Sequence, residues 1–97
     1  MVNYRRGYLG ELKAVRLLEA EGYTVARTAG SHSPFDVVAV GRSCVRLIQV
    51  KRVKRGGVHP ALEEGKRNLS RVPCPPCTSR EVWVWVDGKG WAAQQEV

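Results

Sequence analysis

Residues 36–51 read Asp-Val-Val-Ala-Val-Gly-Arg-Ser-Cys-Val-Arg-Leu-Ile-Gln-Val-Lys, which is two apolar runs separated by Gly-Arg-Ser. Short runs rich in β-branched residues predict strands at residues 36–40 and 44–52. The glycine-containing segment between them predicts a turn, so the two strands form a hairpin. We expect this hairpin to lie within the central sheet of the domain.

The polar residues of the hairpin fall at one of its ends. Asp36 opens the first strand, and Gln49 and Lys51 lie near the end of the second. Because side chains alternate between the faces of a strand, Gln49 and Lys51 point the same way. Carboxylate and amide oxygens suit a hard cation such as Mg²⁺, and a nearby ammonium can neutralise a phosphate or hold a hydroxide. The three residues therefore outline a metal-dependent nuclease site.

The spacing of apolar residues divides the rest of the chain into helices and strands. The predicted helices cover residues 8–21 and 60–71, and the further strands are 23–27, 80–86 and a short one from Trp91. The order α-β-β-β-α-β-β predicts a small α/β domain with a mixed central β-sheet flanked by helices. With 97 residues and no linker composition, we expect one domain over residues 1–97.

Glu11 lies on the apolar side of the first predicted helix, between Val15 and Leu18 on a helical wheel. A buried carboxylate is costly unless it is paired or ligates something. Two interpretations stay open: Glu11 sits at the edge of the stripe with its carboxylate in water, or it faces a site.

Two tryptophans share one face of the predicted strand 80–86. Trp83 and Trp85 alternate with valines on the other face. Such a pair can stack on bases. More often, such residues cover a helix or a subunit interface.

Positive charge is concentrated around the hairpin. Sixteen Lys and Arg against nine Asp and Glu give a formal net charge of +7. No acid occurs between Asp36 and Glu63, an interval that contains Arg42, Arg46, Lys51, Arg52, Lys54 and Arg55. A solvated basic face is one explanation, but the neighbouring candidate site favours a polyanion, and nucleic acid is the natural one. A membrane partner is disfavoured, because no stretch is long enough to span.

The N-terminus lacks the apolar core of a signal peptide, so we expect a cytoplasmic protein. Cys74 and Cys77 form Cys-Pro-Pro-Cys, but the chain has no second Cys/His pair at zinc-binding spacing. A structural loop is the favoured interpretation, and a redox pair, a disulfide or a metal shared between subunits is the alternative. Cys44 is expected to be a small buried hydrophobe in its strand.

A combination of motifs resembles the archaeal-type Holliday junction resolvases of the PD-(D/E)xK nuclease superfamily. It consists of Glu11 on the first helix, Arg27-Thr-Ala-Gly-Ser31, Asp36 opening a strand and Gln49-Val-Lys51 on the next. The resemblance covers roughly residues 5–55 and implies a small restriction-endonuclease-like domain. It further implies a homodimer, since two symmetric cuts need two sites.

The resemblance also implies roles for individual residues. Glu11, Asp36, Gln49 and Lys51 correspond to the active site, and Ser31 to a loop serine near the scissile phosphate. Asp36, Gln49, the Val50 carbonyl and Glu11 are the candidate ligands of Mg²⁺ or Mn²⁺. The resemblance matches Arg5, Arg6 and Arg27 to basic positions that face DNA. The charge pattern adds the other candidate DNA-binding residues, which are Arg52, Lys54, Arg55, Lys66 and Arg67.

The sequence departs from the family pattern at two places. Phe35 separates Pro34 from Asp36, and Gln49 stands where the motif has a second acid. An amide oxygen is a legitimate but uncharged ligand, so metal affinity should fall, and Glu11 could restore some charge. The alternatives are a non-catalytic module that binds branched DNA, and a nuclease of the same superfamily that acts on another DNA structure.

Overall fold

The computed structural model describes residues 2–28 and 33–97, with side chains described from Leu9 onward. Its elements are α1 (Val2–Ala20), β1 (Thr24–Arg27), β2 (Val37–Val40), β3 (Val45–Val53), α2 (Val58–Leu69), β4 (Thr78–Val86) and β5 (Gly90–Glu96). The predicted order of helices and strands is confirmed.

The strands form one sheet in the order β1-β2-β3-β4-β5. The first three strands form an antiparallel meander, in which β2 and β3 are the predicted hairpin. β3 and β4 run parallel, because α2 carries the chain back along the sheet, and β5 returns antiparallel to β4. The α/β fold with a mixed sheet flanked by helices is therefore confirmed.

Each face of the sheet packs against one helix. The α1 side buries Ala14, Leu18, Val37, Ala39, Ile48 and Trp83. The α2 side buries Leu62, Leu69, Val82 and Val84. This division confirms the alternation predicted for β3, since Ile48 packs on the α1 side while the side chain of Gln49 approaches α2. The candidate site residues Gln49 and Lys51 thus face α2.

The helix boundaries differ from the sequence-based ones. α1 begins at Val2 rather than at residue 8, and α2 covers Val58–Leu69 rather than 60–71. Gly57, at a φ of 86°, provides the left-handed turn from which α2 starts. Glu63 and Glu64 therefore lie in the middle of α2 and not in its first turn.

The face that carries the tryptophans is covered by α1. Trp83 is 2% exposed and packs edge-to-face on Trp91, with their ring centroids 5.2 Å apart. Trp85 also packs on Trp91, and the ammonium of Lys13 in α1 lies 5.7 Å from its ring. Trp83 covers a helix and is not available to stack on bases.

Candidate functional site

The predicted site lies at one end of the sheet, where β1 ends, β2 begins and β3 approaches its last residues. Val37 pairs with Ile48, and the backbone N–H of Asp36 donates to the Ile48 carbonyl at 2.8 Å. Continuing this antiparallel register by one residue places Asp36 opposite Gln49. The hairpin therefore brings the candidate carboxylate beside the Gln49-Val50-Lys51 segment.

A hydrogen bond fixes the orientation of the Asp36 carboxylate. Its Oδ2 accepts from the backbone N–H of Val50 at 2.8 Å. Within a strand, the N–H and C=O of one residue point to the same edge, so the Val50 carbonyl also points toward Asp36, just past the start of β2. A carboxylate oxygen and a carbonyl oxygen thus share one edge of the sheet.

The charge of Asp36 depends on its surroundings. Burial raises the pKa of Asp36 above its ordinary value. The hydrogen bond from Val50 and the charges of Lys51 and Arg27 lower this pKa in turn, without cancelling the rise. Both cations are therefore close enough to act on the carboxylate.

Glu11 is paired rather than directed into open water. Oε1 of Glu11 accepts a hydrogen bond from Nε of Arg27 at 3.1 Å, and its side chain is 21% exposed. Burial raises the pKa of Glu11, Arg27 lowers it, and the negative charge of Asp36 raises it further. Glu11 is thus paired with Arg27, and its carboxylate is influenced by the charge of Asp36.

The Gln49 amide lies against α2. Its Oε1 is buried and accepts no hydrogen bond within the described part of the chain. A Cβ added at Gly65 would lie 3.0 Å from this oxygen and 2.6 Å from a methyl group of Val82. Gly65 therefore permits the close approach of α2 to the Gln49-Val82 pair of the sheet.

Lys51 forms an ion pair with Glu64 of α2, which the sequence analysis did not assign to the site. The side chain of Lys51 is 22% exposed and that of Glu64 is 56% exposed. The hydrogen bond from Lys51 is the main reason why the pKa of Glu64 lies below its ordinary value. A sequence signal existed, since Glu63 and Glu64 are the first acids after the acid-free interval.

The other predicted site residues are dispersed. Ser31 and the side chains of Arg5 and Arg6 lie outside the described residues. Arg52 lies on the α1 side of β3, where its guanidinium donates to both carboxylate oxygens of Asp87 at 2.7 and 2.8 Å. Of the basic residues beyond β3, Lys54, Arg55 and Arg67 are exposed, and Lys66 lies 3.6 Å from Glu63.

A second polar cluster, which no sequence pattern predicted, lies on the α1 side of β3. The guanidinium of Arg46 donates to both carboxylate oxygens of Glu81, at 2.7 and 2.8 Å. Ser79 and the indole N–H of Trp83 also donate to this carboxylate, at 2.8 and 3.0 Å. Burial alone would raise the pKa of Glu81, but these partners outweigh it and hold the pKa below its ordinary value.

The cysteines remain outside this arrangement. Cys44, Cys74 and Cys77 are free thiols, and Cys74 and Cys77 are exposed. Cys44 is half-buried near the hydroxyl of Tyr23, at 3.9 Å.

The oxygen donors at the site fit a hard divalent cation. No three His, Cys, Asp or Glu side chains of the described ranges lie close enough together to hold a metal ion. The Asp36 carboxylate, the Val50 carbonyl and the Gln49 amide oxygen nevertheless supply oxygen chemistry, and Mg²⁺ commonly keeps several waters and uses only one or two carboxylates. The donor set is therefore chemically suitable but low in charge.

Comparison with known proteins identifies the fold. No protein-family model matches the sequence. The arrangement of two helices about a five-stranded mixed sheet is that of a Holliday junction resolvase of known structure. That protein is Hjc from the archaeal hyperthermophile Archaeoglobus fulgidus; the match has a TM-score of 0.59 and 21% sequence identity, and covers 89% of this chain and 69% of Hjc. The predicted nuclease-like fold class is confirmed.

Along the described part of the chain, no helix has the length and apolar character needed to cross a membrane.

Proposed function

We propose that this protein is a metal-dependent endonuclease that resolves four-way DNA junctions by hydrolysing phosphodiester bonds. One observation carries the proposal: Asp36 is hydrogen-bonded to the Val50 backbone, next to Lys51, at one end of a sheet whose fold is shared with a Holliday junction resolvase. The basic residues beyond β3 provide a reason for DNA to bind at this end.

The chain's own oxygens would hold Mg²⁺ or Mn²⁺. Asp36 supplies the charged ligand, the Val50 carbonyl and the Gln49 amide supply neutral ones, and Glu11 is the neighbouring acid. When bound, the cation polarises the scissile phosphate and activates a water molecule. Arg27 holds Glu11 in place through the hydrogen bond at 3.1 Å.

Lys51 performs the electrostatic part of the reaction. Its ammonium neutralises charge that develops on the phosphate oxygens and orients the attacking water. In-line attack by that water forms one P–O bond and breaks the bond to the 3′ oxygen, which leaves a 5′-phosphate. A site on an open sheet end is accessible to a bulky branched substrate.

Lys54 and Arg55 follow β3 directly, and both are exposed at the sheet end that carries Lys51. Contacts from such residues to phosphates give affinity that falls with salt. Arg67, in the last turn of α2, is a further exposed basic residue. We assign Arg5, Arg6 and Ser31 to the DNA-facing surface on the sequence resemblance, and Lys66 as a basic residue of α2.

We further propose that the protein acts as a homodimer. Each chain has one such site, and resolution of a four-way junction requires two symmetric cuts. The buried Trp83 face is covered by α1, so the dimer interface must use another surface. Light scattering on purified protein measures the oligomeric state directly.

The central experiment compares DNA structures and metals. Labelled four-way junction, linear duplex and single strand are incubated with the protein in Mg²⁺, Mn²⁺ or EDTA. We expect cleavage of the junction alone, dependent on the metal, with 5′-phosphate products. Lys51→Ala should reduce the rate by about 100-fold or more, the usual scale for loss of one transition-state charge contact.

Other outcomes identify other functions. Equal cutting by Lys51→Ala would refute the assigned site, and equal cutting of plain duplex would leave a nuclease with a different target. Tight, salt-sensitive binding of the junction without cleavage in either metal would identify a non-catalytic branched-DNA-binding module. The neutral Gln49 is the observation that favours this second candidate, because a site with fewer charges binds a cation less tightly.

A further inference from the structure

We propose that Glu64 of α2 supplies the second carboxylate of the cation site, in place of the acid that position 49 lacks. The inference rests on the proposed function, because it completes the same site. Glu64 belongs to the helix that packs on the Gln49 and Lys51 face of the sheet.

The environment of Gln49 explains why the second acid is absent from this position. The Gln49 oxygen is buried against the backbone of Gly65 and the side chain of Val82, and it has no hydrogen-bond partner in the described ranges. A carboxylate in this position would bring a full charge into an apolar contact, which costs far more than a neutral amide. The missing negative charge must therefore come from a residue that remains near solvent.

Glu64 meets this requirement. It precedes Gly65 on α2 and reaches Lys51, the residue two positions beyond Gln49 on the same face of β3. More than half of its side chain is exposed, so a hydrated cation can reach its carboxylate from solvent. Asp36 lies opposite Gln49 in the register of β2 and β3, so the pair with Lys51 places Glu64 at the end of the sheet that carries Asp36.

The packing of α2 brings Glu64 to this place. A Cβ at position 65 would lie 2.6 and 2.9 Å from the two methyl groups of Val82, distances that side chains do not tolerate. Glycine removes this obstacle, so α2 packs closely against Val82 at the residue next to Glu64. Gly65 therefore brings α2 close to the Gln49 amide and places the neighbouring Glu64 carboxylate in contact with Lys51.

The other nearby acids have different partners. Glu11 is bound by Arg27 at 3.1 Å, and Glu63 pairs with Lys66 at 3.6 Å on another side of α2. Glu64 is the acid that contacts the lysine of the motif. If Glu64 exchanges this ammonium for a divalent cation, Lys51 becomes free to contact the substrate phosphate.

The test measures binding of Mn²⁺ alone, without DNA, by electron paramagnetic resonance of the free ion. Glu64→Gln should weaken Mn²⁺ binding by about tenfold or more, because affinity follows the number of charged ligands. Glu63→Gln is the matched control, since it makes the same charge change one residue earlier on the same helix. It should leave Mn²⁺ binding within about twofold, as expected of a residue that is not a ligand.

Two further variants separate a ligand from a partner of Lys51. Glu64→Asp keeps the charge on a shorter side chain and should bind Mn²⁺ with intermediate affinity. Gln49→Glu combined with Glu64→Gln should not recover the lost affinity, because the apolar contact with Gly65 and Val82 makes a carboxylate at position 49 costly. Thermal unfolding of each variant confirms that it is folded.

The outcomes distinguish this inference from the proposed function. Unchanged Mn²⁺ affinity in Glu64→Gln, or no saturable binding by the unaltered protein, would overturn the role of Glu64. Weakened Mn²⁺ binding in Glu64→Gln but no cleavage of any DNA by the unaltered protein would support the role of Glu64 and refute the endonuclease. Loss of cleavage with unchanged Mn²⁺ binding would mean that Glu64 only positions Lys51, and this also contradicts the inference.

Discussion

Strand β3 carries a polar cluster on each of its faces, and the two differ in how fully their groups are paired. We call them the Arg46 cluster (Arg46, Ser79, Glu81 and Trp83) and the Lys51 cluster (Asp36, Gln49, Lys51 and Glu64). In the Arg46 cluster, both oxygens of a carboxylate that is only 12% exposed accept hydrogen bonds from one guanidinium. In the Lys51 cluster, an amide oxygen has no partner in the described ranges and an exposed acid holds the lysine.

This difference distinguishes a structural role from a functional one. A buried charge that is fully hydrogen-bonded contributes to the folded state and has no capacity left for a ligand. Groups that are incompletely paired near solvent contribute little to stability, but they can bind a cation or a phosphate. Mutations in the two clusters should therefore affect different measurements.

The largest effect on folding is expected from the Arg46 cluster. Arg46→Ala leaves the Glu81 carboxylate in its buried position with only Ser79 and Trp83 as donors. We expect the free energy of unfolding to fall by about 3 kcal/mol, the lower end of the range for breaking a buried ion pair. Urea denaturation measures this loss, and Mn²⁺ binding by the folded variant should be unchanged.

Arg52→Ala is the matched control for Arg46→Ala. Arg52 makes the same bidentate contact with Asp87, but that carboxylate is 29% exposed, so the loss in the free energy of unfolding should be about 1 kcal/mol.

The pKa of Glu81 is lowered in the folded state. The stabilisation by the ionised Glu81 is therefore present above its ordinary pKa and is lost as the pH falls through the folded value. Equal losses in the two variants, or unchanged acid sensitivity in Arg46→Ala, would contradict the structural role of the Arg46 cluster.

A smaller effect on the free energy of unfolding is expected where α2 packs against the Lys51 cluster. Gly65→Ala introduces a methyl group 2.6 Å from Val82, and this overpacking outweighs the roughly 1 kcal/mol that alanine adds to a helix. We expect a net loss of about 1 kcal/mol in the free energy of unfolding, together with weaker Mn²⁺ binding as Glu64 moves away.

Gly10 of α1 provides the comparison. A methyl group at Gly10 in α1 would lie 3.5 Å from Val50, an ordinary contact, so Gly10→Ala should be neutral or stabilising by up to about 1 kcal/mol. Val82→Ala should relieve the strain of Gly65→Ala, so the double variant should be more stable than the sum of the single losses predicts. Additive losses would show that the contact with Val82 is not the cause.

The two clusters also differ in which of their features could be predicted from the sequence. Hydrophobic alternation along β3 correctly placed Gln49 and Lys51 on one face and Ile48 on the other, because alternation depends only on the local chain. The pair of Arg46 with Glu81 was not predictable in this way, because it depends on the parallel register between β3 and β4, across 35 positions of the chain.

The contact of Lys51 with Glu64 depends on tertiary packing in the same manner. The sequence located α2 to within two residues at each end, but the position of Glu64 follows from how closely the helix can approach the sheet. Gly65 could have been noticed as a small residue among the apolar positions of a helix, where a glycine often has a packing reason. Its partner, Val82, lies on a strand that pairs with β3 only after folding.

The smallest expected effect is that of Asp36→Asn on the unfolding temperature, and this effect should change sign when Mn²⁺ is added. Burial raises the pKa of this carboxyl in the folded state, so its ionised form destabilises the fold, and this cost appears as the pH rises through its ordinary value of 3.8 toward the raised one. In EDTA at pH 7, Asp36→Asn should therefore unfold at a slightly higher temperature than the unaltered protein, and the difference should vanish in acid. In saturating Mn²⁺ the order should reverse, because a ligand that binds only the folded state stabilises it, and the variant binds the ion weakly. If Asp36→Asn left the Mn²⁺-induced rise in unfolding temperature intact, Asp36 would not be a ligand of the cation. The Lys51 cluster would then have a structural role, as the Arg46 cluster does.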